Sequence, residues 1–149
     1  RVGAETIRAE LEKANHPEFS VGELVARFDH FYAENEEILP AAGDALVQGD
    51  YEAFGVRVKN SQSNGVLLLK NQVPETEALA TLAYEHGAVA ASAFGAGFGG
   101  SVWALVQRAG AEAFLKQWRE AYQHEFAEAA QKGSFFITEA GPGAFALKG

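Results

Sequence analysis

A cluster of closely spaced glycines is the feature that most constrains what this chain can fold into. The cluster lies at residues 95–101, between two short apolar segments, 88–94 and 102–106, that carry no charge. Segments of this length and composition are typical of buried strands, so we predict two strands joined by a glycine loop. Glycine loses more backbone entropy on folding than other residues. The loop therefore indicates either positive φ angles or a backbone or ligand too close for a Cβ.

Three interpretations of this loop compete. The simplest is a strand connection without a ligand. Gly95, Gly97 and Gly100 also fit the dinucleotide pattern G-x-G-x-x-G, but that pattern needs a following helix to hold the pyrophosphate, and residues 101–107 look like a strand. No Lys-Ser or Lys-Thr follows the glycines, which excludes a Walker loop. The third interpretation is a loop whose backbone N–H groups lie near a phosphate or near the phosphate loop of another domain.

A family resemblance supports the third interpretation. The stretch G-A-G-F-G-G-S-x-x-A-L-V at residues 95–106 resembles the C-terminal glycine motif of the GHMP kinases, and most of all that of galactokinases. Residues 28–55 resemble a helix pair of that family, and residues 60–63 and 73–79 resemble its S-H-x-S-L and P-E-L-D-x-L segments. Several segments in the family's order are more specific than the glycine loop alone.

The chain departs from the family pattern beside the loop. Galactokinases usually have Arg-x-Thr-Gly here, and this chain has Ser92 and Phe94 in place of the Arg and the Thr. Gln62 stands in place of the usual His, and Glu77 in place of the Asp. Two functions therefore stay open: a sugar kinase, or a non-catalytic sugar- or protein-binding module with the same fold.

The resemblance implies the C-terminal domain of a galactokinase-like enzyme, which transfers the γ-phosphoryl group of ATP to galactose or a related monosaccharide with Mg²⁺. The family's ATP-binding loop P-x-x-x-G-L-G-S-S-A does not occur here, and the chain begins with Arg1 and contains no Met. We therefore expect residues 1–149 to be one domain, inactive alone, whose partner is its own N-terminal half. That half would bind most of the ATP and Mg²⁺, so we expect neither a catalytic nor a metal-binding residue in this chain.

The resemblance also implies which residues line the cleft between the two halves. The glycine motif itself comprises Gly95, Ala96, Gly97, Phe98, Gly99, Gly100 and Ser101. Four further residues are predicted to face the cleft, namely Ser61, Gln62, Ser92 and Phe94.

Composition excludes other classes of function. The net charge of −8, with only 12 Lys and Arg, argues against binding to nucleic acid, because such binding depends largely on cationic side chains. No apolar run approaches membrane-spanning length, and the chain has no cysteine for a disulfide or a reactive thiol. We expect a cytoplasmic protein without a membrane partner. His30 and Glu34 have helical i, i+4 spacing, but two ligands make a poor metal site.

The order of the predicted elements indicates an α+β fold. We predict a ferredoxin-like domain in which helices cover one face of an antiparallel sheet of about four strands. Ser20 and Glu23 form a capping box that opens a helix expected to stop or kink at Pro40. The other predicted helices span residues 2–14, 41–48, 51–58, 74–86 and 110–132. Residues 60–65 are predicted as a polar loop, residues 66–69 as an apolar turn or short strand, and residues 134–137 and 143–147 as the last two strands.

Overall fold

The computed structural model describes residues 2–141, which form a helix-rich α+β structure. The α-helices are α1 (Ala4–Leu11), α2 (Val21–Tyr32), α3 (Leu39–Gln48), α4 (Tyr51–Asn64), α5 (Pro74–Glu85), α6 (Ala111–Glu125) and α7 (Ala127–Ala130). The strands are β1 (Ala90–Phe94) and β2 (Ser101–Leu105); π-helical turns span Ala33–Ile38 and Gly65–Leu69, and a 3₁₀ turn spans Arg108–Gly110. Within the described part of the chain, no helix is both long enough and apolar enough to cross a membrane.

The chain remains helical from α2 through α3, so of the predicted stop or kink at Pro40 the stop is wrong. The capping box that opens α2 is confirmed, because the Ser20 side chain accepts the Glu23 N–H and the Glu23 side chain accepts the Ser20 N–H. Before Pro40 the helix widens into the π turn Ala33–Ile38, where the Leu39 N–H donates to the Glu34 carbonyl. Proline has no N–H to donate into the preceding turn, and a local π register accommodates that gap without ending the helix.

Helix α4 is longer than its sequence pattern indicates. Asp50 caps the start of the helix by accepting the Ala53 N–H, and the helix continues through residues 60–64, which were predicted as a polar loop. Residues 66–69, predicted as a turn or short strand, form the second π turn. For residues 66–69 the turn is confirmed and the strand is wrong. The predicted polar loop is wrong because α4 packs along β1. This contact gives polar residues of α4, Gln62 among them, partners within the protein.

The two strands pair antiparallel, as predicted, with Phe94 opposite Ser101 at the base of the glycine loop. The predicted count of about four strands is not reached between residues 2 and 141, where the sheet has two. Residues 134–137 form no strand; instead the Phe135 ring packs edge-on against Trp118, with ring centroids 5.2 Å apart. The last predicted strand, 143–147, lies outside the described residues.

The core lies where α5 and α6 pack against the sheet. Its buried members are Ala83, Ala88, Ala91, Phe114 and Trp118. Phe114, Trp118 and Tyr122 are buried along one face of α6, and the Trp118 indole N–H donates to the Leu79 carbonyl at 2.9 Å. The predicted helix over 110–132 is interrupted at Phe126, where the backbone leaves the helical region.

Side chains from the helices cap the edge of β1 that faces away from β2. The Tyr84 hydroxyl accepts the Ala91 N–H and donates to the Ala91 carbonyl, both at 3.0 Å. Two residues further along β1, the Gln62 Oε1 atom accepts the Ala93 N–H at 2.9 Å. Buried backbone groups need such partners, so these two side chains replace a neighbouring strand.

The Tyr84 hydroxyl makes a testable contribution to stability. Replacing Tyr84 by Phe leaves both Ala91 groups without a partner and should lower the free energy of unfolding by about 2 kcal/mol. Burial raises the pKa of the Tyr84 phenol. Its contribution is therefore complete below about pH 10, the usual tyrosine pKa, and is lost as the pH rises through the folded-state value.

Urea denaturation at several pH values checks this prediction. The difference between the wild type and Tyr84→Phe should be constant near neutral pH and should narrow above pH ~10. Tyr51→Phe is the matched control, because the Tyr51 side chain is exposed. Equal stability of Tyr84→Phe and the wild type near pH 7 would contradict the assigned role.

Candidate functional site

The glycine loop, residues 95–101, has the strained backbone that its sequence predicts. Its φ angles are +88° at Gly95, +86° at Gly97, +107° at Gly99 and +106° at Gly100. Phe98 also has a positive φ of +60°, which is uncommon for a residue with a side chain. All four glycines therefore occupy a region of φ that disfavours other residues. The loop conformation requires glycine at these positions, although glycine loses more backbone entropy on folding.

Asn71 anchors the loop from the segment between the second π turn and α5. Its backbone carbonyl accepts the Phe98 N–H at 2.5 Å, and its side-chain Nδ2 donates to the Ala96 carbonyl at 3.0 Å. Asn71 is not among the residues predicted from the sequence, because its partners lie 25 and more positions further along the chain. The only local signal is a polar Asn-Gln pair between an apolar turn and the start of α5.

The two hydrogen bonds bring Asn71 against the backbone of Gly97. A Cβ at Gly97 would lie 2.2 Å from the Asn71 carbonyl oxygen and 2.6 Å from its Nδ2 atom. A Cβ at Gly99 would meet only a Val73 methyl group at 4.0 Å, and one at Gly95 or Gly100 would meet nothing within that distance. Close approach of another backbone thus requires glycine at position 97, whereas the other three positions are restricted by φ alone.

Within the described residues, the loop combines N–H groups that have no acceptor with exposed aromatic rings. Among residues 2–141, five loop N–H groups donate to no acceptor, those of Gly95, Ala96, Gly97, Gly99 and Gly100. Phe98 is 75% exposed and Phe94, at the end of β1, is 57% exposed. Ser101 is exposed at the start of β2. The site therefore offers hydrogen-bond donors without a charged side chain, next to apolar surface.

Two of the predicted cleft residues meet on the inner side of the loop. Gln62 on α4 accepts the Ser92 hydroxyl and the Ala93 N–H through the same Oε1 atom, each at 2.9 Å. The Ser92 hydroxyl also lies 2.9 Å from the Ala93 carbonyl. The Gln62 Nε2 atom is buried, with no hydrogen-bond partner among residues 2–141. Ser61 is half-buried on the same helix, and no side-chain hydrogen bond joins it to this group.

We expect Gln62 to contribute more to stability than Ser92. Gln62→Leu leaves the Ala93 N–H and the Ser92 hydroxyl without their acceptor, and should lower the free energy of unfolding by about 2 kcal/mol. Ser92→Ala keeps the bond to the Ala93 N–H and should cost about 1 kcal/mol or less. Urea denaturation measures both, and a larger loss for Ser92→Ala than for Gln62→Leu would contradict this assignment.

The histidine and acidic residues do not form a metal site in the described part of the chain. No group of three or more His, Cys, Asp or Glu side chains lies close enough to hold a metal ion there. Burial lowers the pKa of His30, and the neighbouring Glu34 opposes this shift. Glu36 and Glu37 are exposed, as a solvated face requires, whereas Glu34 is half-buried.

Comparison with known protein families agrees with this geometry. Residues 44–124 match the family model of the GHMP kinases C terminal, more than half of the chain. The chain therefore belongs to the C-terminal domain family of the GHMP kinases. The match covers α4, α5, both strands with the glycine loop, and most of α6.

Individual relatives place the chain among galactokinase-like members of this family. It is 35% identical over 112 residues to a galactokinase of Enterococcus faecalis, in a match that covers 72% of this chain and 28% of that protein. Its structure is similar to the crystal structure of Lactococcus lactis galactokinase complexed with galactose, with a TM-score of 0.71 and 26% identity. That similarity covers 85% of this chain and 31% of the other. The chain thus spans less than a third of the length of the relatives it matches.

Proposed function

We propose that this chain is the C-terminal domain of a galactokinase-like sugar kinase. Joined to an N-terminal half, it would take part in the ATP-dependent phosphorylation of galactose or a related monosaccharide. One observation carries the proposal. The glycine loop that resembles the family's motif has positive φ angles at all four glycines, and among residues 2–141 five of its N–H groups donate to no acceptor.

The loop would act through its backbone. Successive backbone N–H groups in turn conformations form concave sites that favour anions, and we propose that this loop provides such a site. Phosphoryl transfer depends mainly on positioning and on stabilisation of charge at the phosphate oxygens. The free amides could contact a phosphate oxygen directly, and they are equally suited to support the phosphate loop of the N-terminal half.

The described residues are better suited to bind a phosphate than to coordinate a metal ion. No cluster of acidic and histidine ligands occurs in the described residues. We therefore assign the binding of Mg²⁺, which neutralises phosphate charge when bound, to the N-terminal half. The exposed rings of Phe94 and Phe98 would pack against that half beside the loop.

A specific observation favours a second candidate function, a non-catalytic sugar- or protein-binding module. Where galactokinases usually have Arg and Thr, this chain has Ser92 and Phe94. The Ser92 hydroxyl is engaged with Gln62, and the Phe94 side chain has no polar atom, so neither residue offers a polar group to a phosphate.

Galactose-dependent release of ADP by the complete translation product of the gene tests the proposal. We expect turnover that requires ATP, Mg²⁺ and the sugar together. Sugar binding in calorimetry without ADP release would contradict the kinase and support the module. The double variant Ser92→Arg/Phe94→Thr separates the two further, because a weakened enzyme should gain turnover and a repurposed binder should not. Ser92→Ala is its control for the lost bond to Gln62.

A further inference from the structure

Asn71 makes hydrogen bonds to residues on both sides of Gly97. Its carbonyl accepts the Phe98 N–H, and its side chain donates to the Ala96 carbonyl. We infer that Asn71 is a positioning residue that holds the glycine loop in the conformation in which its other N–H groups have no acceptor among residues 2–141. Its importance for turnover rests on the proposed function, whereas its effect on the loop does not.

A directional chain of hydrogen bonds fixes the orientation of the Asn71 side chain. The Ala96 carbonyl oxygen only accepts, so the Asn71 Nδ2 atom is the end that faces it. The Asn71 Oδ1 atom then accepts from the Gln72 Nε2 atom at 3.1 Å. The Gln72 Oε1 atom lies 3.0 Å from the Thr76 hydroxyl, on a residue only 3% exposed; the same hydroxyl lies 3.0 Å from the Val73 carbonyl and shares its one proton between the two. Hydrogen bonds aligned in this way polarise one another, so the contact with the loop is strengthened from the buried start of α5.

The backbone before Asn71 brings it to the loop. Lys70 follows the second π turn and ends it with a left-handed backbone, at a φ of +53°. The Asn71 N–H then donates to the Gly65 carbonyl at 3.4 Å, and a Cβ at position 65 would lie 3.4 Å from the Asn71 Oδ1 atom. The π turn that the sequence did not predict thus places Asn71 where it can reach Ala96 and Phe98.

Asn71 also determines which loop amides can reach a ligand. The Phe98 N–H is directed inward to the Asn71 carbonyl, and the Phe98 side chain extends outward to 75% exposure. Without the side-chain bond to Ala96, the loop keeps a single backbone bond to Asn71 and gains freedom around Gly97. The free amides would then lose the fixed arrangement that binding of an anion requires.

Amide hydrogen exchange and ¹H–¹⁵N NOE measurements on the full chain test this inference. Asn71→Ala removes the side-chain bond and keeps the carbonyl, so the Phe98 amide should exchange about tenfold faster. NOE values at residues 95–100 should fall, and the Trp118 amide in the core should keep its exchange rate. Asn60→Ala on the exposed side of α4 is the matched control and should change neither signal.

A second variant keeps the test decisive if Asn71→Ala does not fold. Gln72→Leu leaves Asn71 in place and removes the donor to its Oδ1 atom, so the Phe98 amide should exchange about threefold faster. An unchanged Phe98 amide in the folded Asn71→Ala protein would overturn the inference. Equal acceleration at Phe98 and Trp118 would also overturn it, because Asn71 would then stabilise the fold as a whole and not the loop.

Kinetics of the complete gene product separate this inference from the proposed function. If the inference and the proposed function both hold, Asn71→Ala lowers kcat for sugar phosphorylation about tenfold, the same factor as the expected rise in the Phe98 amide exchange rate. The KM for the sugar should change less than about twofold. A wild-type product without kinase activity contradicts the proposed function, and the exchange experiment still decides the role of Asn71. A loosened loop with unchanged kcat overturns the catalytic importance of Asn71 alone.

Discussion

Replacing Gly97 by Ala should destabilise the fold and, under the proposed function, abolish most of the sugar-dependent ADP release by the complete gene product. The new Cβ would lie 2.2 Å from the Asn71 carbonyl oxygen and 2.7 Å from the Asn71 Cγ atom, so the loop must move away from Asn71. Alanine also adopts the φ of +86° at a cost of about 1 kcal/mol. Displacing a packed backbone adds about 1–3 kcal/mol. We expect a total loss of about 3 kcal/mol in urea denaturation and a loss of turnover of about 100-fold.

Gly100→Ala is the matched control. Gly100 has a similarly positive φ of +106°, but a Cβ there would meet nothing within 4 Å. Gly100→Ala should therefore lose about 1 kcal/mol of stability from the unfavourable φ, without any steric clash. The difference between the two variants isolates the contact with Asn71. Equal losses of stability and activity in both would contradict the close packing of Asn71 against Gly97.

Replacing Gly55 by Ala should destabilise the fold by about 3 kcal/mol, although Ala is the better helix former. Gly55 lies in the interior of α4, which packs on the start of the sheet. A Cβ at this position would lie 2.0 Å from the Val89 carbonyl oxygen and 3.1 Å from the Val89 carbonyl carbon. Neither is the end of a flexible side chain, so the helix itself must move away from the strand.

Gly43→Ala in α3 provides the opposite expectation. A Cβ at position 43 would meet nothing within 4 Å. The substitution should therefore raise stability by up to about 1 kcal/mol, through the lower backbone entropy of the unfolded chain. Thermal unfolding distinguishes the pair, because 1 kcal/mol shifts Tm by about 2–4 °C in a chain of this size. Gly55→Ala with the Tm of the wild type would contradict the contact between α4 and Val89.

Features set by neighbouring residues were predictable from the sequence. The Ser20 and Glu23 capping box, the Asp50 cap, the helix start at Pro74 and the strands around the glycine loop each depend on a few consecutive side chains. The family resemblance likewise depended on short segments in a fixed order. Such local signals act whatever the rest of the chain does.

Features set by distant contacts were not predictable. Residues 60–64 look like a loop because of their polar composition, and they are helical because α4 packs on β1 and Gln62 bonds across 30 positions to Ser92. Asn71 gains its role only from Ala96, 25 positions away. The apolar residues 134–137 resemble a strand, but Phe135 is used to cover Trp118. A short apolar run is compatible with a strand or with irregular backbone, and here Phe136 and Ile137 stay exposed, so the sequence pattern alone does not separate the two outcomes.

The most direct test of the glycine loop's role is steady-state ADP release by the complete gene product with galactose, ATP and Mg²⁺. The measurement compares the wild type with Gly97→Ala and Gly100→Ala. We predict sugar-dependent turnover that falls about 100-fold in Gly97→Ala and far less in Gly100→Ala. Turnover that is the same in all three proteins would contradict the role of the glycine loop. A wild-type protein that binds galactose and releases no ADP would contradict the assignment as a kinase.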